Sequence, residues 1–261
     1  MICRRCHTAL ILIILILVFA GARSQSINTR FNFKHLTVQN GLAENIVYHF
    51  LQDSRGYMWI GTHNGLTLYD GVKTINFLPR DHDSTSVSGR FITGLLEDSA
   101  QQIWIGNENG INRYNRADNS FSHYTVDRPG GKKDTTYCVP MGFATPTDLW
   151  FLDTKTRSVR CLNTTTKKTS FVSELNTTQA LFYKCAQTIN VWSAYDKGTI
   201  HQVFANGKLL KQQIFFADKN NFGQPVLEVI HVYQQDDSTA WLSTNEGLTR
   251  LNPISGNYKI Y

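Results

Sequence analysis

The side chains that could do chemistry are few and scattered. Beyond an apolar N-terminal run the histidines are His35, His49, His63, His82, His123, His201 and His231, and no two stand at metal-ligand spacing. There is no H-E-x-x-H helix, no G-x-S-x-G nucleophile and no glycine-rich phosphate loop. Neither a metal nor a cofactor is expected. A glycosidase would need two convergent carboxylates, and spacing brings no pair together. Hydrogen-bonding chemistry remains. Polar triplets stand beside or near glycines: Thr62-His63-Asn64, Asn107-Glu108-Asn109, Tyr195-Asp196-Lys197 and Thr244-Asn245-Glu246. Arg80-Asp81-His82-Asp83 and Asp127-Arg128 add charge between them. Planar polar forks with some aromatics are what a sugar requires. The candidate ligand-binding residues are therefore His63, Asn64, Arg80, His82, Asn107, Glu108, Arg128, Tyr195, Asp196, Asn245 and Glu246. The alternative for most of them is a solvated turn residue.

The elements that position these triplets form a repeat. Trp59, Trp104, Trp150, Trp192 and Trp241 are spaced by 45, 46, 42 and 49 residues. Six residues after the tryptophan stand Gly65, Gly110, Gly198 and Gly247, with Thr156 breaking the pattern in the third unit. At a background glycine frequency of about 7%, four matches in five have odds on the order of 10⁻⁴. Gly61 and Gly106 add a second glycine two residues after the tryptophan; Leu152 replaces it in unit three. Before each tryptophan lies an apolar-rich run, such as Asn45 to Leu51 or Phe91 to Leu96, then a turn built on Asp53-Ser54-Arg55-Gly56 or Asp98-Ser99-Ala100-Gln101. Asn64-Gly65 and Asn109-Gly110 predict type I′ turns. An aromatic-bearing fourth strand is expected near Phe77, Phe121, Phe171, Phe215 and Tyr258.

Four short strands in about 45 residues is the arithmetic of a β-propeller blade. The chain is therefore read as all-β, with about five four-stranded blades at roughly 37–79, 80–126, 127–173, 174–217 and 218–261. The tryptophans and glycines are expected to be structural, the rings packing between blades. Units three and four depart from the pattern and predict longer or irregular hairpins. Turns between second and third strands share one face of a propeller with the connections between blades, so the polar triplets should gather there.

Asn40-Gly41-Leu42, Asn45, Val47, Asp53, Ser54, Gly56, Trp59-Ile60-Gly61-Thr62 and Gly65-Leu66 together resemble the two-component regulator propeller repeat. Trp104-Ile105-Gly106 and Gly110-Ile111 repeat the pattern. The likeness is strong over Phe33 to Tyr124, weak over Tyr137 to Phe215 and fair again over Val229 to Tyr261. It implies the periplasmic sensor region of a bacterial hybrid two-component system, a seven-bladed ring, an oligosaccharide signal and a downstream membrane helix and kinase. The residues show no second apolar segment and no kinase-type histidine motif, and five units stop short of seven. Phe31 to Leu36 looks like an outer strand without its blade. The expectation is an incomplete ring, the front of a longer sensor or a truncated paralogue; a closed five-blade ring with a spare strand is the alternative.

The chain opens with Arg4 and Arg5, an apolar run from Ala9 to Ala20, and Ala20-Gly21-Ala22. This is the order of a secretory signal peptide over 1–22, with a short linker over 23–30. The run is shorter than the ~20 residues a spanning helix needs, and an uncleaved anchor is the alternative. The product is expected to be exported and periplasmic. The C-x-x-C of Cys3 and Cys6 lies in this segment and is discounted. Loss of Arg4 and Arg5 takes the formal charge from +6 to +4, and without a basic run nucleic acid is not expected as a partner. Cys138, Cys161 and Cys185 remain, an odd number, read either as one disulfide with a spare or as buried thiols. Three readings stand: a sensing module, a propeller used for protein contact through self-association or a second propeller or downstream sensor domain, and a secreted carbohydrate-active enzyme.

Overall fold

The computed structural model describes residues 35–175, 180–185, 188–195, 198–216 and 229–261. The segments read as signal peptide and linker, and most of the Phe31–Leu36 run, lie outside the described residues. Leu36–Tyr261 forms one compact unit. Apart from two 3-10 turns, at Val38–Asn40 and Pro129–Gly131, its regular structure is β.

Five antiparallel sheets of four strands follow one another, each in simple meander order. Sheet one holds β1 (Val47–Gln52), β2 (Met58–Thr62), β3 (Gly65–Tyr69) and β4 (Thr74–Phe77). Sheet two holds β5 (Ile92–Glu97), β6 (Ile103–Asn107), β7 (Gly110–Asn115) and β8 (Ser120–Tyr124). A small ladder, β9 (Val126–Asp127) with β10 (Lys133–Asp134), sits in the next connection. Sheet three holds β11 (Cys138–Thr145), β12 (Asp148–Asp153), β13 (Ser158–Asn163) and β14 (Lys168–Glu174). Sheet four holds β15 (Ala180–Cys185), β16 (Thr188–Tyr195), β17 (Gly198–Ala205) and β18 (Lys208–Phe215). Sheet five holds β19 (Val229–Asp236), β20 (Thr239–Thr244), β21 (Gly247–Leu251) and β22 (Tyr258–Ile260). These are propeller blades. The degenerate units differ as their sequence suggests: a four-residue turn joins β12 to β13, and the strands of sheet four run to eight residues.

Local chemistry explains the first hairpin of each regular blade. Asp53 accepts the backbone amides of Arg55 and Tyr57 on Oδ1, at 3.0 and 2.9 Å, and Gly56 takes a φ of 86° that an L side chain rarely adopts. Asp98 does the same for Ala100 and Gln102. The second turn corrects the type I′ expectation. The loop residues are His63-Asn64 and Glu108-Asn109, and of the residues in each turn only Gly65 (φ 111°) and Gly110 (φ 128°) are at positive φ. Type I′ needs positive φ at both central residues. A side chain supports the turn instead: Thr62 Oγ1 accepts the Asn64 amide and donates to the Gly65 carbonyl. Thr244 repeats both bonds in sheet five.

The core lies between the sheets. One face of each blade carries the tryptophan, and the opposite face of the next blade covers it. Trp59 and Leu66 meet Ile92, Ile103, Ile105 and Tyr114. Trp104 and Ile111 meet Cys138, Leu149 and Phe151; Trp150 meets Val191 and Phe204; Trp192 meets Val232, Ala240 and Leu242. These four rings are at most 3% exposed, each burial contributing roughly 2–3 kcal/mol. The fifth, Trp241, is half-buried, because no sixth sheet stands among the described residues. Its neighbours across the sheet, Tyr233 and Arg250, are exposed with it. At the other end Phe50 is 75% exposed. The glycine after Trp-Ile marks the same packing: a Cβ on Gly106 would collide with the Cys138 carbonyl and Pro140 of the next blade.

Candidate functional site

The turns between second and third strands and the connections between blades meet on one face. There, between blades one, two and three, four rings come together. Phe91, the last residue before β5, lies edge-on to Tyr48 at 4.9 Å and to His63 at 5.3 Å, and reaches Tyr137 at 5.9 Å. Tyr48 and Tyr137 are about half exposed. The rings, with Asn64, Arg90 and Glu108, line a cleft of about 490 Å³.

Hydrogen bonds hold the cleft in shape. Glu108 accepts the Arg90 amide on Oε1 at 2.7 Å and the Phe91 amide on Oε2 at 3.0 Å. The Gly65 amide donates to the Arg90 carbonyl. Arg90 Nη1 donates to Asn64 Oδ1 at 3.0 Å, joining the first blade's turn to the connection into the second. Each Glu108 oxygen holds one backbone amide, so Glu108 fixes Phe91. Arg90 is exposed and keeps donors for a ligand. Fixed aromatic faces beside a guanidinium and an amide match the two chemistries of a sugar, apolar C–H faces and hydroxyls.

Behind the cleft lies a second space. Residues of all five blades, from His49 on β1 to Val232 on β19, line an open cavity of about 630 Å³. Phe91 and Tyr137 line both the cleft and the cavity. Its other walls are mostly apolar, with Val139, Leu152, Leu181, Trp192 and Ile230 among them. Burial lowers the His49 pKa, so its imidazole is neutral at pH 7 and offers one donor and one acceptor. Ser193, nearly fully buried, also lines the cavity, and its hydroxyl has no hydrogen-bond partner. A third hollow, between blades three and four, is lined by Asp148, Cys161 and Asn206.

The eleven sequence candidates part company here. His63, Asn64 and Glu108 line the cleft. Asn107 is fully buried; its amide bonds Ser88 and accepts the Asn109 amide, which makes it the brace of the turn. Arg80 pairs with Asp83 at 2.6 Å and His82 sits at positive φ, both on the stretch before Thr85, which runs beside the outermost strand β8. Neither lines the cleft or the cavity. Arg128 is mostly buried between Asp134, at 3.1 Å, and Asp153, at 2.5 Å. The backbone of Tyr195 ends β16 opposite Gly198, and Asp196 lies outside the described residues. Asn245 and Glu246 are exposed on the fifth blade's turn. Reading by residue type missed Tyr48, Arg90, Phe91 and Tyr137.

Other buried polar groups are structural in their contacts. His201 stacks on Trp192 at 4.0 Å and bonds Asn190 through Nε2, and burial pushes its pKa down to about 4. Cys138 and Cys161 are free thiols, and burial raises both pKa values, that of Cys161 to about 12. Among the described residues no three His, Cys, Asp or Glu side chains converge as a metal site.

Comparison with known proteins follows the same geometry. The model of the two component regulator propeller matches residues 41–64, from the entry segment through β1 and β2 to the cleft residues His63 and Asn64. This segment is similar to a two-component regulator propeller repeat. Histidine kinase P4 of Formosa agariphila is 32% identical over 75 residues, which are 29% of this chain and 6% of that protein. Among solved structures, the extracellular domain of a hybrid two-component system from B. thetaiotaomicron superposes with a TM-score of 0.66 at 21% identity, over 87% of this chain and 31% of that one. That of a one-component system from the same organism gives 0.66 at 20% identity, over 89% and 33%. Streptogramin B lyase gives 0.56 at 14% identity, over 82% and 67%. These structural likenesses carry the propeller fold. The chain spans about a third of the length of the two Bacteroides structures and a small part of the kinase.

Proposed function

We propose that this chain is the exported, ligand-sensing propeller region of a two-component signalling system and that it binds an oligosaccharide in the Phe91 cleft. The observation that carries the reading is the fixed aromatic cluster: Tyr48, His63, Phe91 and Tyr137 meet beside Arg90 and Asn64, on a loop pinned by Glu108. The regulator-propeller repeat supports the signalling role, and the extracellular domains of similar fold support export. The site acts by binding. Glycoside hydrolysis runs on two carboxylates, whereas the described lining of the cleft offers one, Glu108, already held by two amides.

Thermal unfolding in the presence of a panel of oligosaccharides tests this. A saturable rise in Tm with one glycan, lost in Phe91→Ala, is expected. A propeller used for protein contact would show no shift with any glycan but a mass that grows with concentration. A catalytic protein would consume the glycan.

A further inference from the structure

We infer that the central cavity receives an apolar substituent carried by the glycan, so that the ligand is an amphiphilic glycoside, with its sugar in the cleft and an aryl or acyl group behind it. This rests on the cleft reading above. The two spaces are not independent. Phe91 and Tyr137 line both. A sugar stacked in the cleft therefore has its nearest neighbour group beside the cavity mouth.

The chemistry changes across that mouth. The cleft offers Arg90, Asn64 and His63, whereas the cavity presents Val139, Leu181, Trp192 and Ile230. A plain oligosaccharide carries hydroxyls around the rim of each ring and gains less from such walls than an aryl or acyl group does. A cavity of about 630 Å³ lies within the range of roughly 300–1,000 Å³ of small-molecule sites, which combine apolar walls with a few placed polar groups. Those groups are here. Thr154 and His231 line it, and neither is buried. His49, kept neutral by burial, faces the same space. Ile230 is 59% exposed at the wall, an apolar surface that an aryl or acyl group would cover.

The test compares p-nitrophenyl glycosides with methyl glycosides of the same sugars: glucose, galactose, mannose, xylose and N-acetylglucosamine. Binding to the full chain is followed by calorimetry. For the sugar that the cleft accepts, the aryl glycoside should bind roughly ten-fold or more tightly than its methyl counterpart, since covering a ring's apolar surface is worth at least 1.4 kcal/mol. Ala180→Phe, which fills the cavity, and Ile230→Lys, at an exposed position that tolerates change, should each erase the aryl advantage and leave methyl glycoside affinity unchanged. Equal affinity of the two series, or an aryl advantage that survives both variants, overturns the inference and leaves the cleft reading standing. If neither series binds and free oligosaccharides do not bind either, both fall.

Discussion

The indole N–H of Trp59 donates to Asp53 Oδ2 at 2.9 Å, and Trp104 makes the same bond to Asp98 at the same distance. The carboxylate that shapes the turn before the tryptophan thus also sets the ring that seals the next blade. In blade one the arrangement goes further. Arg116 of the second blade reaches the same Asp53 oxygen at 2.8 Å and lies over the Trp59 ring.

Replacing Asp53 should therefore cost more than replacing Asp98. Asp53→Ala leaves Arg116, the indole and two turn amides without their acceptor, and a loss of about 3 kcal/mol is expected, against about 1–2 kcal/mol for Asp98→Ala. Urea unfolding of the two variants decides it; equal losses would mean that the ion pair between blades contributes nothing. Burial opposes ionisation of Asp53, but the bonds from Trp59 and Arg116 prevail and hold its pKa below 3.8. Its contribution is thus complete above the unfolded value and is lost as the pH falls through the lower folded one.

His201 sets a second acid limit. The unfolded imidazole titrates near 6.5 and the folded one at about 4, lowered first by burial and then by Lys211. Above pH 6.5 both states are neutral and the group has no effect. Between pH 6.5 and 4 the unfolded chain takes up a proton that the folded chain refuses, so stability declines by up to about 3 kcal/mol. Stability measured at pH 7 and pH 5 should differ in the wild type, and the difference should shrink in His201→Gln. An unchanged slope in that variant would assign the acid loss elsewhere.

Gly106 has no space for a side chain. Its Cβ would meet the Cys138 carbonyl of the next blade's inner strand, and backbone cannot swing aside. Gly106→Ala should cost about 2–3 kcal/mol. Gly61→Ala collides with a side chain rather than backbone, that of Ile92 at 2.6 Å, and should cost less. Thermal unfolding that ranks the pair the other way would show the third blade shifting freely against the second.

The open end blades predict self-association. Trp241, Tyr233 and Leu248 lie on a face whose counterparts in the other blades are covered. Light scattering of the isolated chain should give a mass that rises with concentration, and Tyr233→Lys should reduce the rise. A monomer at all concentrations would sink this.

The tryptophan and glycine spacing made five blades legible, because packing one sheet on the next needs a large ring and a bare backbone at fixed positions. The cleft was legible only in part. His63, Asn64 and Glu108 stand on turns whose place follows from the repeat. Phe91 and Tyr48 belong to apolar-rich runs, and residue type does not show that Tyr48 stays half exposed and Phe91 half-buried. Arg128 looked like a free cation on a blade connection. Its partner Asp153 is 25 residues away, in a blade whose repeat had decayed. The type I′ expectation rested on Asn-Gly, and a threonine or asparagine side chain braces that turn instead.

The tryptophan of each of the first four blades belongs to two sheets: it is anchored in one and solvated or dry according to whether the next is present. Folding is then coupled between neighbours and between neighbours alone, as in a zipper. Blades two to four are held from both sides, and blades one and five from one. Opening should start at Phe50 and at Trp241 and run inward, so amide exchange would be fastest in β4 and β22 and slowest across β6 and β12. The Phe91 cleft, built on blades one to three, straddles that gradient. A ligand bound there would clamp an end blade to the interior and should slow exchange in β4.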